Sequence, residues 1–201
     1  MSMGILGRET NFDQRFFTDY EHASKVIRAV KALGQKVVLT SGTWDLLHID
    51  HASYLERARQ QGTFLVVGVD SDEKVKARKG PSRPFVPQME RAGLLAHLRH
   101  VDMIVLKPQE EEPRLLIKTL RPDILVISET TGHEDGEVED MKRYCGEVRL
   151  IESMQSTSTT AQLRLFMLRG IEALVKRLQD AIPALVQETL EQDGKTKKKA
   201  A

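Results

Sequence analysis

The sequence predicts an α/β fold in which about five parallel strands form a doubly wound sheet with flanking helices and a C-terminal helical extension. Two observations support this prediction. Short apolar, β-branched runs, such as 37–39 and 63–69, alternate with charged segments whose apolar residues have helical spacing. The order strand, helix, strand then recurs along the chain, and such a unit places its two strands parallel with a right-handed crossover.

Composition limits the class of protein. The 201 residues contain 40% hydrophobic and 29% charged residues, which is ordinary for a soluble globular domain. The net charge of +1 gives no reason to expect binding to nucleic acid or to a membrane surface. The single cysteine, Cys145, cannot form an intrachain disulfide, and neither a signal-peptide core nor a membrane-length apolar run is present. We therefore expect a cytoplasmic protein.

Periodicity and turn residues set the expected elements. Residues 1–18 show no periodicity and predict an extended or loose lead-in. Apolar residues at helical spacing predict a helix over 19–33 that ends at Gly34 and covers the sheet. The elements expected after it are strand 37–39, helix 51–61, strand 63–69, a basic loop at 74–84, helix 87–98, strand 101–106, helix 112–120, strand 124–127 and strand 148–151.

Two histidines lie between the first strand and its following helix. His48 and His51 are three residues apart where the helix should begin, so one turn brings both imidazoles to the same side. The free N–H groups and the positive dipole end of that helix face the same place, and ligands of parallel sheets sit at the carboxyl ends of the strands. This arrangement predicts a phosphate site.

At these residues the sequence resembles the HxGH-motif nucleotidyltransferase superfamily, in particular its cytidylyltransferase-like branch. That branch includes glycerol-phosphate cytidylyltransferases and the adenylyltransferase domain of ADP-heptose synthases. Residues 42–45, Gly-Thr-Trp-Asp, stand where the branch has G-x-F-D, and residues 48–51, His-Ile-Asp-His, stand where it has HxGH. The departure is Asp50, a carboxylate in place of glycine. The resemblance covers about 19–164 and implies a Rossmann-like nucleotidyltransferase domain there.

The resemblance also implies the reaction, in which a phosphate oxygen of an acceptor attacks the α-phosphorus of CTP or ATP and pyrophosphate leaves. That nucleophile is already an anion, so catalysis needs positioning and neutralisation of charge more than a strong base. Mg²⁺ would arrive with the triphosphate. The implied catalytic residues are His48, His51 and Lys79, and the implied nucleotide- or phosphate-binding residues are Ser41, Gly42, Thr43, Trp44, Asp45, Arg83, Arg91, Ser158, Thr159, Thr160 and Arg164.

Several of these residues have a plainer interpretation. Lys79 and Arg83 belong to a Lys-Gly-Pro-Ser-Arg-Pro run similar to that of ADP-heptose synthases, but a basic segment is often only a solvated loop. Arg91 could reach the acceptor phosphate or ribose, or form a surface ion pair with Glu90 or another neighbour. The hydroxyl-rich segment 153–160 could be an ordinary helix cap. Its match to the Ser-Thr-Ser/Thr segment of the family falls at 158–160 or at 156–158.

The remaining chain predicts an extension and a tail. Residues 165–192 have apolar residues at helical spacing and are expected to form a helical extension. This helix has more apolar surface than is needed to pack against the domain, which predicts a homodimer contact. Residues 193–201 form a basic tail that we expect to be disordered. Nucleic-acid binding through this tail is disfavoured.

The substitution at Asp50 leaves three interpretations open. The carboxylate turns aside in an active enzyme, or it alters metal or substrate use, or it marks a catalytically degenerate nucleotide-binding or scaffolding protein that retains the fold. As a helix cap, Asp50 would take the N–H groups that a phosphate would otherwise use. A metal hydrolase is less attractive because no second cluster of metal ligands accompanies the histidines. The sequence does not decide between CTP and ATP, nor does it identify the acceptor.

Overall fold

The computed structural model describes residues 10–129, 135–152 and, apart from 169 and 173, 167–183. The chain divides into two compact units, Met1–Ser156 and Thr157–Ala201. The first unit contains a six-stranded parallel sheet. Its strands are β1 (Phe16–Phe17), β2 (Val37–Gly42), β3 (Phe64–Asp70), β4 (Met103–Lys107), β5 (Ile124–Ser128) and β6 (Glu147–Ile151). Its helices are α1 (Phe12–Arg15), α2 (Tyr20–Ala32), α3 (Ile49–Arg59), α4 (Asp72–Lys79), α5 (Gln88–Ala96), α6 (Leu115–Leu120) and α7 (Asp135–Lys142).

Helices cover both faces of the sheet, as the prediction of a doubly wound fold requires. One apolar cluster joins α3 and α5 to one sheet face and includes Leu55, Leu95 and Ile104. The other joins α2, α6 and α7 to the opposite face and includes Ile27, Leu116 and Met141. A strand buried on both faces is a continuous apolar run in the sequence, without alternation of apolar and polar residues. The strands could therefore be predicted from such runs.

The strand order β1-β4-β3-β2-β5-β6 places a topological switch point beside β2. From β2 the chain builds outward through β3 and β4, and it then returns to add β5 and β6 on the other side. Strands β2 and β5 are paired in register, with Val38 opposite Ile124. In such sheets the crevice at the carboxyl ends of the two strands flanking the switch point is where a ligand binds.

The lead-in is more structured than the sequence indicated. Residues 12–17 form α1 and β1, and β1 pairs with β4 at the sheet edge. Phe12 stacks on Phe16 with ring centroids 5.0 Å apart, and Arg15 donates hydrogen bonds to backbone carbonyls that include Ala96 O at 2.9 Å. A four-residue helix and a two-residue strand are too short to show periodicity, so the expectation of an extended or loose segment is corrected there.

The basic segment after β3 is mainly a helix, which corrects the loop predicted for 74–84. Ser71 caps α4 by accepting the N–H of Lys74 at 3.2 Å. Asp72 and Glu73 lie in its first turn and its basic residues in the last turn, which complements the helix dipole. Helix α7, over a charged stretch, was also not predicted. The other predicted helices and strands of 19–151 are confirmed within a few residues.

In the second unit, the described residues of 167–183 are helical, in agreement with the predicted extension. Its large apolar side chains are exposed, namely Met167, Leu168, Ile171, Leu174, Val175, Leu178 and Ile182. The expected tail, 193–201, lies outside the described residues. None of the helices in the described part of the chain has the length and apolarity that a bilayer crossing requires.

Candidate active site

The loop between β2 and α3 is anchored by Trp44. Its backbone has a φ of 57°, in the left-handed region, and the same is true of Leu46, with a φ of 50°. The buried indole N–H donates to the carbonyl of Gly68 on β3 at 2.9 Å. This hydrogen bond anchors the loop to the neighbouring strand β3, so Trp44 fixes the position of the loop.

Asp45 and Arg83 bind each other and join two loops. Arg83 Nη1 donates to Asp45 Oδ2 at 2.7 Å, and the N–H groups of Phe85 and Val86 donate to the same carboxylate at 3.1 Å. Burial opposes ionisation of Asp45, but these three donors outweigh it and hold its pKa below the usual range. The Arg83 guanidinium also lies 4.1 Å from the centroid of the Phe85 ring. Both predicted ligand-binding residues therefore fix the loop after α4.

The two histidines cap the first turn of α3 reciprocally. His48 Nδ1 accepts the N–H of Asp50 at 3.3 Å, and His51 Nδ1 accepts the N–H of His48 at 3.4 Å. Their ring centroids are 4.1 Å apart. Because each Nδ1 is an acceptor, each neutral ring carries its proton on Nε2, and that nitrogen is a donor. The structure thus brings together the two imidazoles that the sequence selected.

His51 is held in its neutral form. Its ring meets the Trp44 ring edge to face, with centroids 5.7 Å apart. Burial lowers the pKa of His51 to about 4, with further lowering from the charges of His48 and Lys79. Near pH 7 the ring is therefore a hydrogen-bond donor through Nε2 rather than a cation.

Asp50 is buried beside His48. Its Oδ2 lies 3.6 Å from His48 Nδ1, and it occupies the first turn of α3. The N-cap residue is His48, so the expectation that Asp50 itself caps the helix is corrected. The carboxylate thus approaches the Nδ1 side of the His48 ring, the side away from the donor nitrogen Nε2.

Lys79 ends α4 on the side of the histidines. Its positive charge is close enough to lower the pKa of His51. Burial lowers the pKa of Lys79 itself, and the charges of Arg78 and Arg83 lower it further. Repulsion of this kind favours binding of an anion beside Lys79.

Arg91 lies beneath the site, which corrects its predicted contact with acceptor or ribose. Its side chain is fully buried. It donates from Nε to Val86 O at 2.9 Å and from Nη2 to Asp70 O at 2.8 Å and Asp72 Oδ1 at 2.7 Å, and Nη1 donates to Thr43 O. An arginine at the start of a helix is commonly exposed, and no sequence signal showed that this one enters the core.

The other predicted binding residues divide into two groups. Ser41, which is exposed, and Gly42 lie at the carboxyl end of β2, where a side chain on Gly42 would come within 3.2 Å of the Trp44 ring. Thr43 is buried beside them. Ser158, Thr159, Thr160 and Arg164 lie outside the described residues.

A charged cluster at the carboxyl ends of β3 and β4 was missed. Arg78 Nη2 donates to Thr43 Oγ1 at 2.8 Å and to Asp70 Oδ2 at 2.9 Å. Lys107 Nζ lies 3.3 Å from Asp70 Oδ1. The available signal was the position of Asp70, a carboxylate that ends an apolar strand at the predicted ligand-binding edge.

The comparisons with known proteins identify the family of the chain. Residues 39–162 match the cytidylyltransferase-like family. The chain is 40% identical over 148 residues to the bifunctional protein HldE of a Nitratiruptor species, covering 74% of this chain and 31% of that protein. It is 41% identical over 159 residues to the bifunctional protein HldE of Magnetococcus marinus, covering 78% and 32%. The chain therefore spans about a third of the length of these curated relatives.

A solved structure supports the same assignment. The lipopolysaccharide core biosynthesis protein from Thermoplasma volcanium superposes with a TM-score of 0.51 and 25% identity, covering 62% of this chain and all of that one. The family match includes the carboxyl-terminal part of β2, the histidine pair, α4 and Arg91. The chain belongs to the cytidylyltransferase-like family of nucleotidyltransferases.

Proposed function

We propose that this protein transfers a nucleoside monophosphate from CTP or ATP to a phosphorylated small acceptor, of the sugar phosphate or glycerol phosphate type, and releases pyrophosphate. The observation that supports this most directly is the histidine pair. Both Nδ1 atoms are engaged by backbone N–H groups, so both Nε2–H groups are donors at the start of α3, beside the switch point of the sheet. Hydrogen-bond donors at a helix N-terminus favour binding of a phosphate group.

The acceptor's phosphate oxygen forms a bond to the α-phosphorus, and the bond from that phosphorus to the bridging oxygen of pyrophosphate breaks. His48 and His51 donate to the phosphoryl oxygens that gain charge, while Lys79 adds a positive charge on the same side. Removal of one preorganised donor of this kind typically costs about 10²–10³-fold in rate. No group of the protein has to remove a proton, because the attacking phosphate is already ionised near neutral pH.

Mg²⁺ belongs to the proposal as a companion of the triphosphate. It would neutralise phosphate charge and would be held mainly by phosphate oxygens and water. Within the described residues, no cluster of three or more histidine, cysteine or acidic side chains could hold a metal ion by itself.

The acceptor class and the base rest on the relatives. The likeness to the adenylyltransferase domain of ADP-heptose synthases, together with a neighbour that functions in lipopolysaccharide core biosynthesis, favours a sugar phosphate. The Gly-Thr-Trp-Asp run resembles that of glycerol-phosphate cytidylyltransferases, so CTP and ATP both remain candidate nucleotide substrates. A cytoplasmic location and a homodimer formed through the exposed apolar face of 167–183 are part of the same proposal, and sedimentation of the full chain tests the dimer.

The function is tested by a screen for pyrophosphate release. Purified protein is assayed with Mg²⁺ and each of CTP and ATP against sugar 1-phosphates, sugar 7-phosphates and glycerol 3-phosphate. We expect one nucleotide and one acceptor class to give turnover that the His51→Ala variant loses. Nucleotide binding in calorimetry without pyrophosphate release on the whole panel would contradict the proposal.

A second candidate is a catalytically degenerate nucleotide-binding protein, and Asp50 is the observation that favours it. Its carboxylate brings negative charge to the first turn of α3, where a phosphate would bind. If catalysis has been lost for this reason, Asp50→Gly should restore pyrophosphate release to an inert protein. If the protein is active, we expect Asp50→Gly and Asp50→Asn to change the rate by about tenfold or less, since the carboxylate lies on the Nδ1 side of His48.

A further inference from the structure

One edge of the Arg78 guanidinium is hydrogen-bonded to the protein, and the other edge has no acceptor among the described residues. A single nitrogen, Nη2, makes both of its described hydrogen bonds, to Thr43 Oγ1 at 2.8 Å and Asp70 Oδ2 at 2.9 Å. Its side chain is 53% exposed, and no described residue accepts a hydrogen bond from Nη1 or Nε. Because a guanidinium has five N–H donors, three of them have no acceptor among the described residues.

The anchor is a buried and ionised carboxylate. Asp70 is only 1% exposed and contacts both Arg78 and Lys107. Burial opposes ionisation of Asp70, but the charges of Lys107 and Arg78 outweigh it and hold its pKa below the usual range. Asp70 thus stays negative across the physiological pH range, and the guanidinium remains oriented without a ligand.

The position of Arg78 separates it from the nucleotide crevice. The switch point lies between β2 and β5, whereas Asp70 ends β3, on the other side of β2. Thr43 follows β2 directly and lies between these two sides. A nucleotide at the switch point would therefore leave the β3 side open for a second substrate.

We propose that Arg78, oriented by Thr43 and Asp70, binds the phosphate of the acceptor through its Nη1 and Nε edge. This inference rests on the proposed function for the identity of the second substrate. A planar fork suits two phosphate oxygens at once, and prior anchoring reduces the conformational entropy lost on binding. Arg78 is thereby a specificity residue for a phosphorylated acceptor, and Asp70 is its positioning residue.

The test uses inorganic phosphate as the probe. Calorimetry measures phosphate binding to the full chain with the nucleotide site filled by Mg²⁺ and CTP or ATP, and separately measures binding of that nucleotide. We expect Arg78→Ala to weaken phosphate binding by about tenfold or more and to change nucleotide affinity by less than about twofold. Arg78→Lys keeps the charge but loses the fork, so its affinity should be intermediate.

Controls separate this role from effects on folding. Arg143 on the surface also pairs with a carboxylate, Asp140, at 3.4 Å, and Arg143→Ala should leave phosphate binding unchanged. Melting temperatures identify variants that fail to fold, and if Arg78→Ala does so, Arg78→Gln and Arg78→Lys replace it. In turnover, the KM for acceptor should rise in Arg78→Ala while the KM for nucleotide stays constant.

Three outcomes would overturn the inference. They are phosphate binding that is undetectable in the wild type, phosphate affinity unchanged in Arg78→Ala, and an equal loss of nucleotide and phosphate affinity. The last result would assign Arg78 to the triphosphate. Failure of the proposed function is distinguishable, because pyrophosphate release would then be absent with every acceptor of the panel, while phosphate binding to wild type and variants could still be compared.

Discussion

Arg91 and Arg78 illustrate two uses of the same side chain within one site. Arg91 is fully buried, and all three of its guanidinium nitrogens donate to backbone carbonyls or to Asp72. Arg78 uses one nitrogen for Thr43 and Asp70, its other two nitrogens have no acceptor among the described residues, and its side chain is 53% exposed. One arginine is thus part of the framework, and the other is the one that we propose for binding a ligand.

The same distinction divides the whole site into two layers. The framework layer contains Trp44, Asp45, Arg83 and Arg91, whose polar groups bind one another or the backbone. The second layer, which we propose to face the ligands, contains His48, His51, Lys79 and Arg78. Substitutions in the first layer should therefore change stability, while substitutions in the second should change activity or affinity.

The largest expected effect is on the framework. Arg91→Ala would leave the Asp72 carboxylate and the carbonyls of Thr43 and Asp70 without their buried donor. Breaking a buried charged pair on one side typically costs about 3–5 kcal/mol. We expect urea denaturation to show a loss of that order in the free energy of unfolding. Arg99→Ala, an exposed control, should stay within about 0.5 kcal/mol, and equal midpoints for the two variants would remove the distinction between layers.

The second effect is on catalysis. His48→Ala or His51→Ala should lower kcat/KM by about 10²–10³-fold through loss of a donor to the phosphoryl group. Each ring also caps one N–H of α3, so the cost in stability should be about 1 kcal/mol. Steady-state kinetics and thermal denaturation measure the two effects separately. The exposed His97 serves as the control, and a fall of less than about fivefold for both variants would remove the histidines from the ligand-facing layer.

The smallest expected effect is on the pH dependence of stability, because the ring of His51 is partly buried against Trp44. Its pKa is about 4 in the folded protein, against 6.5 for the unperturbed group, so the unfolded chain gains a proton first as the pH falls. The free energy of unfolding should therefore decrease from about pH 6.5 down to about pH 4, by at most about 3 kcal/mol. His51→Asn should flatten this decrease in urea titrations at several pH values. Identical slopes for wild type and variant would mean that the ring is not desolvated.

The sequence was sufficient for most of the fold because its strands are buried on both faces. Runs such as Phe64–Asp70 have few other interpretations, and their alternation with helical spacing requires a parallel sheet. The edge strand Phe16–Phe17 was not recognisable, since two residues carry no period. Helix α4 was mistaken for a loop because its capping depends on Ser71 and on charge order, which are weaker signals than apolar spacing.

Among the candidate site residues, the sequence predicted correctly that His48 and His51 lie close together. His48 and His51 are one helical turn apart, so local geometry alone brings them together. Arg78 donates to the side chains of Thr43 and Asp70, whereas Arg91 donates to the backbone carbonyls of the same two residues. These partners lie 8 to 48 residues from the arginines in the sequence and approach them only in the folded sheet. Spacing along the chain therefore identifies the cations of the site but not which of them remain open to a ligand.

The reciprocal caps of α3 also bear on which metal ions the protein tolerates. Zn²⁺ and Ni²⁺ bind imidazole through a nitrogen lone pair, and on each neutral ring that lone pair is already directed at a backbone N–H. Coordination at Nε2 would move the ring proton to Nδ1, where it would oppose that N–H and uncap the helix. We therefore expect that binding of such an ion by the two histidines would cost the helix part of its N-terminal cap.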